Sequence, residues 1–465
     1  MNYNPILFLL VLFPCTLTIA ENPPADGFAL LLDACANYEK NELDDDIDRE
    51  LSEFIEKGGD YSKELVQAIK DQEIAFDLLR QASQAKTWTL PDKKKFTIDT
   101  KFEYLNSIRD LIQLGTAAAI IKLQQGKPDE CLKSLVPFNI VSGKIGVSGA
   151  LATNYVHQST RRYQLPVIVS AVDQLPNDKL EATLAAAKAQ YVNTPDYKEC
   201  FQGDYHIIKN LIKDFYSKTR AGMDEDSLHR QIIINMERTG GDKKKIEQLK
   251  AGKILSVDQW EEQTLNFFNE IHAKAIDGLE NVPSKDLPAL SIELLEKINS
   301  IGEGVTLKTA QTKMDFIVIK RFFGKFSIED AEAMHENIGN ILTHEFFTRF
   351  YPPYTRMIGD HREHEERERL LLVHIASRFH QAKYGSFPTS LQQLVDTKLL
   401  NAEMIVDPLS GKEYLIKQKP KFLVYGVNRD LDDDGGVPWV WNPGNNQKSS
   451  GDLLLFPLGE NENKK

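Results

Sequence analysis

Cysteine is scarce. Four residues in 465 are too few for a disulfide scaffold, and since Cys15 lies in an apolar leader, a processed chain keeps Cys35, Cys131 and Cys200. Three thiols can supply one pair and one free cysteine, or three buried side chains acting as small hydrophobes, and their spacing does not choose. No CxxC and no clustered Cys/His spacing occurs, which argues against a zinc site built on cysteine. Also missing are a G-x-S-x-G elbow, a phosphate-binding loop and a dinucleotide fingerprint, the usual marks of serine hydrolysis, nucleotide hydrolysis and hydride transfer. His335-Glu336, His344-Glu345 and His364-Glu365 are followed at the zincin position by Gly339, Thr348 and Glu368, never by histidine. Positive charge is in deficit, with a net charge of -12 and no compact basic patch, so the chain repels phosphate backbones and nucleic-acid binding is not expected.

Against these absences stands an ordinary globular composition, 42% hydrophobic and 27% charged, which fits neither wholesale disorder nor a polytopic membrane protein. The first twenty residues carry no charge. Ile6 to Phe13 is an apolar run followed by Pro14 and small residues at Thr18 and Ala20, which predicts a cleavable secretory signal over 1–20. The run is shorter than the ~20 residues that span hydrocarbon, so no stable membrane span is expected after cleavage. Pro14 before Cys15 argues against a lipoprotein site. The expected location is periplasmic or secreted.

From 26 to 351 apolar residues recur at the helical period, which predicts a helical domain. Ile108, Leu111, Ile112, Gly115 and Ala119 share one face, and the two small residues allow a partner helix to approach closely. Gly126 ends that helix, and Pro128, Asp129 and Glu130 suit the first turn of the next, giving a helical hairpin. Ser256 with Gln259 and Ser327 with Asp330 read as capping boxes. Tyr351, Pro352, Pro353 and Tyr354 mark a boundary, after which a helix opens at Asp360, solvated in its charged first half and docked through Leu372, Ile375, Ala376 and Phe379. Beyond Gly385 the period changes to 2. Tyr414 and Ile416, then Phe422 and Val424, flank a turn from Lys417 to Pro420, and Asp452 to Phe456 supplies a third strand ended by Pro457.

Within this region Tyr384-Gly385-Ser386-Phe387-Pro388, Ser390-Leu391, Leu394-Val395, Asp407-Pro408 with Ser410-Gly411 and Tyr414, then Tyr425-Gly426-Val427 and an acidic loop, stand in an order that resembles the globular part of type II secretion major pseudopilins. The likeness covers 360–458 and implies a helix feeding a small antiparallel sheet, with an acidic loop holding calcium. The assembly helix of that family is absent, since the matching helix here starts with the charged His361 to Arg369. The whole chain also resembles exported bacterial proteins that pair a helical N-terminal region with such a tail. The expected fold class is therefore mainly α, an irregular antiparallel helical array followed by a small α+β pseudopilin-like domain.

The acidic loop itself runs Asp430-Leu431-Asp432-Asp433-Asp434-Gly435-Gly436. Alternate carboxylates on a glycine-hinged bend suit a hard cation, so Asp430, Asp432 and Asp434 are candidate calcium ligands, and Asp452 can return to complete the shell. Trp441 at the twelfth position rules out an EF-hand proper. His361, His364, Glu365 and Glu368 lie along one helical face and suit a divalent metal, or else a solvated face paired with Arg362, Arg367 and Arg369. These features lead to the expectation of a non-catalytic exported envelope protein with a binding or scaffold role, a protein partner in the envelope and no catalytic residue. A metal-dependent hydrolase using His361 and His364, and an accessory factor of type II secretion, are the alternatives.

Overall fold

The computed structural model describes residues 26–97, 99–192, 197–222, 243–251, 257–302, 354–418, 421–438 and 451–458, with 230, 233, 234, 237, 343 and 347. The leader at 1–20, the capping serines Ser256 and Ser327, the boundary residues 351–353 and Trp441 lie outside them. The architecture is mainly α with a small antiparallel sheet near the C-terminus.

The chain opens with α1 (Gly27–Tyr38), α2 (Asp45–Lys57), α3 (Lys63–Asp71) and α4 (Glu73–Gln84). Asp26 caps α1, accepting the amides of Phe28 and Ala29 at 3.0 and 3.2 Å on one oxygen and Thr89 on the other. The expected hairpin follows as α5 (Tyr104–Gln124) and α6 (Pro128–Gly146), with Gly126 at φ +73° and Pro128 in the first helical turn. Ile108, Leu111, Ile112 and Ala119 are all buried. The close approach falls at Gly115, where a Cβ would run into the ring of Phe138 on α6. Next come α7 (Leu151–Gln174), α8 (Leu180–Val192), α9 (Tyr197–Gly222), α10 (Lys243–Ala251), α11 (Val257–Asn281) and α12 (Leu287–Gly302).

A 31-residue helix, α13 (Tyr354–Tyr384), organises the rest of the molecule. It begins six residues before Asp360, the predicted start. At ~1.5 Å per residue it is long enough to reach both hydrophobic clusters. Its first turn packs Met357 and Ile358 into a cluster with Phe201, Tyr216, Trp260, Phe268 and Leu294. Its second half places Leu370, Leu372, Ile375 and Phe379 in the main core with Leu31, Leu79, Leu111 and Val172. After α14 (Gln392–Asp396), strands β1 (Leu415–Lys417), β2 (Leu423–Gly426) and β3 (Leu453–Leu454) pair antiparallel in the order β1-β2-β3. Leu415 faces Tyr425, and Gly426 faces Leu453. The third strand is shorter than the expected 452–456, with Asp452 bridging Pro438 in parallel just ahead of it.

One expectation about α13 is corrected. Its charged first half is not solvated, since Arg362, His364, Glu366 and Glu368 are all buried. Tyr414 and Leu453 of the tail belong to the same core cluster as Leu31 and Leu111. The Leu458 amide donates to the Ser170 hydroxyl of α7 at 2.6 Å, and the Leu458 side chain lies beside Gly58. The physical reason is length, because one continuous helix carries apolar residues on both sides of its charged stretch and buries them against different partners.

The thiols of Cys35, Cys131 and Cys200 are unpaired and buried, and burial pushes each up to about 12. They behave as small core hydrophobes. Among the described residues no helix is long and apolar enough to cross a membrane.

Candidate functional site

Two groupings of chemically capable side chains emerge, the acidic loop and a polar seam between α7 and α13. The loop leaves β2 through Asn428 and Leu431, both at positive φ (53° and 63°), and turns back through Gly435 and Gly436 (74° and 76°). Glycine suits the latter pair because an L side chain at such angles is strained. Asp452, 1% exposed, closes the loop: one carboxylate oxygen accepts the Gly436 amide at 2.7 Å and the other the Asp434 amide at 3.3 Å. Its own amide donates to the Val437 carbonyl at 2.6 Å. Asp452 thus meets the loop through backbone amides.

Asp430 accepts the Asp432 amide on one oxygen at 3.4 Å, while its other oxygen is buried. Burial raises the Asp430 carboxyl against the Asp432 and Gly451 amides, which lower it, and neighbouring Asp434 and Asp432 push it up further. Asp452 is likewise raised, first by burial and then by Asp433 and Asp434, against the two amides that lower it. Asp432 and Asp434 are exposed. Asp433, not singled out in the sequence, accepts the Gly435 amide at 2.9 Å and the Tyr425 hydroxyl at 3.2 Å, anchoring the loop to β2. Hard oxygen donors are therefore gathered on one bend, although no group of three or more His, Cys, Asp or Glu side chains that could hold a metal ion is assembled among the described residues.

Arg429, one position ahead of the loop, reaches α13. Its guanidinium pairs with Asp360 at 2.5 Å and Glu363 at 2.7 Å. Asp360 in turn accepts the Tyr155 hydroxyl of α7 at 3.4 Å, and Glu363 pairs with Arg162 of α7 at 3.5 Å and Arg367 at 3.1 Å. These cations hold the Glu363 carboxyl below the usual range even though burial, the largest influence, pushes it up.

Three of the four residues of the candidate histidine-rich cluster have separate partners. Glu368 is gripped by Arg161 of α7 through hydrogen bonds of 2.6 and 2.8 Å. Glu365 pairs with Arg369 at 2.5 Å and accepts the Tyr191 hydroxyl at 3.3 Å. His364 packs edge-on against His157 with ring centroids 5.3 Å apart, and His361 joins no metal-sized group among the described residues. Burial drives His364 down to about 3, with Arg161 adding to the effect, and drives His157 well below its ordinary value, with His364 and Arg161 adding. Both imidazoles are neutral at pH 7.

Two further charged residues have structural partners. Arg362 donates to the carbonyls of Gly278, Leu279 and Val282 at 3.2, 3.3 and 2.5 Å, completing the end of α11 where carbonyls lack helical partners and the dipole favours a cation. Glu366 is fully buried with both carboxyl oxygens unpartnered, held against Gly426 of β2, where a Cβ would collide with it. Its pKa is raised well above the ordinary range by burial and then by Asp407. Asp407 is buried too, but caps its own turn through the Leu409 amide and the Ser410 hydroxyl, both at 2.7 Å.

Sequence reasoning missed His157 and Arg161. The available signal was the spacing of His157, Arg161 and Gln164 along one stripe of α7. Such spacing reads equally as a solvent face.

The fold defined by these elements is a mainly helical body carrying a small antiparallel sheet on one long helix. Comparison with family models, curated proteins and solved structures found no match to the chain.

Proposed function

We propose that the chain is a non-catalytic exported protein of the cell envelope, a binding or scaffold protein whose acidic loop is held by calcium. The observation that carries the calcium reading is Asp430, whose carboxylate has one buried oxygen and faces the repulsion of Asp432 and Asp434 within a loop closed by Asp452. Asp430, Asp432 and Asp434 would hold the ion, with Asp452 supporting the loop. Bound calcium would supply the positive charge that offsets those carboxylates. Arg429 would then relay the ordered loop to α13 through Asp360 and Glu363. The non-catalytic reading is favoured by what occupies Glu368 and His364: a bidentate guanidinium and a second imidazole, in a seam closed to solvent. A hydrolase working through His361 and His364 would need that seam opened. The pseudopilin-like motifs support an envelope setting and leave a role beside type II secretion as a proposal of its own.

Melting of the full chain in calcium and in chelator tests the loop. Calcium should raise the melting temperature, by about 2.7 kcal/mol of stability at a hundredfold excess over Kd, and Asp430→Asn should erase the gain. No shift in the unmodified chain would remove calcium from the proposal. Crosslinking of the mature protein in envelope fractions should capture a partner, and none in either condition would remove the scaffold role.

A further inference from the structure

Five buried polar atoms around α7 have no hydrogen-bond partner among the described residues. They are Oδ1 of Asn139 on α6, Nη1 of Arg161 and both amide atoms of Gln164 on α7, and Nε2 of His364 on α13. Asn139, Arg161, Gln164 and His364 are 6%, 3%, 1% and 7% exposed, so bulk solvent does not serve them. Native interiors rarely leave such atoms unsatisfied.

The five lie along one seam. His157, Arg161 and Gln164 are spaced four and three apart, which sets them on one stripe of α7. The Ser142 hydroxyl of α6 meets His157 Nδ1 at 2.9 Å and donates to the Asn139 carbonyl at 3.3 Å. His157 faces His364 across the seam, and Arg161 is fixed to Glu368 one turn further along α13.

We propose that this seam is a site for buried water, with ordered molecules bridging Asn139, Arg161, Gln164 and His364. The chemistry selects the occupant. Arg161 Nη1 and Gln164 Nε2 donate, Asn139 Oδ1 and Gln164 Oε1 accept, and the imidazole nitrogen takes whichever role its tautomer leaves. An anion would satisfy the donors and face two carbonyl oxygens. A cation would meet a guanidinium whose charge Glu368 already balances. Only a neutral ligand that donates and accepts serves the whole set, and water in polar interiors makes about three such bonds.

The test combines a crystal structure of the full chain with the melting of Gln164→Leu, which keeps bulk and removes both amide atoms. Water density within hydrogen-bond distance of Arg161 Nη1 and Gln164, with the variant melting several degrees lower, is the expected result. A dry seam, a different small molecule in it, or a variant melting at or above the wild type would overturn the proposal. Should the variant fail to fold, the crystal structure of the unmodified protein decides by itself, since water density beside Arg161 Nη1 and Gln164 supports the proposal and a dry seam overturns it.

Discussion

Arg161 and Glu368 stand 207 positions apart in the chain and meet through two hydrogen bonds of 2.6 and 2.8 Å in a seam where both side chains are buried. The pair fastens α7, a helix of the N-terminal body, to α13, the helix that carries the sheet. Because desolvating two charges offsets much of their attraction, the pair adds less net stability than its short distances suggest, while breaking it would leave a buried charge alone.

Removing one partner should therefore be severe. Glu368→Ala is expected to cost about 3–5 kcal/mol, since it strands a buried guanidinium. Combining Arg161→Met with Glu368→Leu should recover most of that loss, a non-additivity that denaturant titration of the two single variants and the double variant would measure.

Acid should loosen the same seam. His157 and His364 are depressed from 6.5, the latter to about 3, so the unfolded chain binds protons that the folded one refuses. Stability is then complete above the unfolded value and falls as pH drops below about 6.5. His364→Phe should flatten that decline, and melting curves between pH 7 and 4 would show it; an unchanged slope would exclude His364 as a source.

Glu366 acts in the opposite direction. Its folded pKa lies well above 4.5, so its contribution is present below that value and is lost as pH rises towards the folded pKa. Glu366→Gln preserves the shape and removes the titration. It should raise stability at pH 8 more than at pH 4, and equal effects at both values would contradict the assignment of a buried neutral acid.

The helical hairpin makes a purely steric prediction. Gly115→Val should cost about 1–3 kcal/mol through its collision with Phe138. Adding Phe138→Leu should relieve part of the cost, as thermal melts of the single and double variants would reveal.

Much of this architecture was legible in the residues themselves. The stop at Gly126 and start at Pro128, the small residue at Gly115 and the hairpin of β1 and β2 all follow from local rules, because backbone sterics, capping and the alternation of side chains act over a few positions; the strand period expected directly beyond Gly385 starts only at Leu415, after α14. The acidic loop was visible for the same reason, its aspartates and glycines lying within seven consecutive positions. The closing of that loop through the amides of Asp434 and Gly436 was not visible, since it depends on where β3 pairs.

What the amino-acid order determined alone was the set of elements and their apolar faces. Tertiary structure decided the fate of the charged stretch from His361 to Arg369, which reads as a solvated face and is instead divided among Arg161, Arg429, Tyr191 and the end of α11. A polar stripe at helical spacing is satisfied equally well by water or by a second helix with complementary groups. Local sequence holds no term that separates the two, and here the complementary groups sit on elements far along the chain.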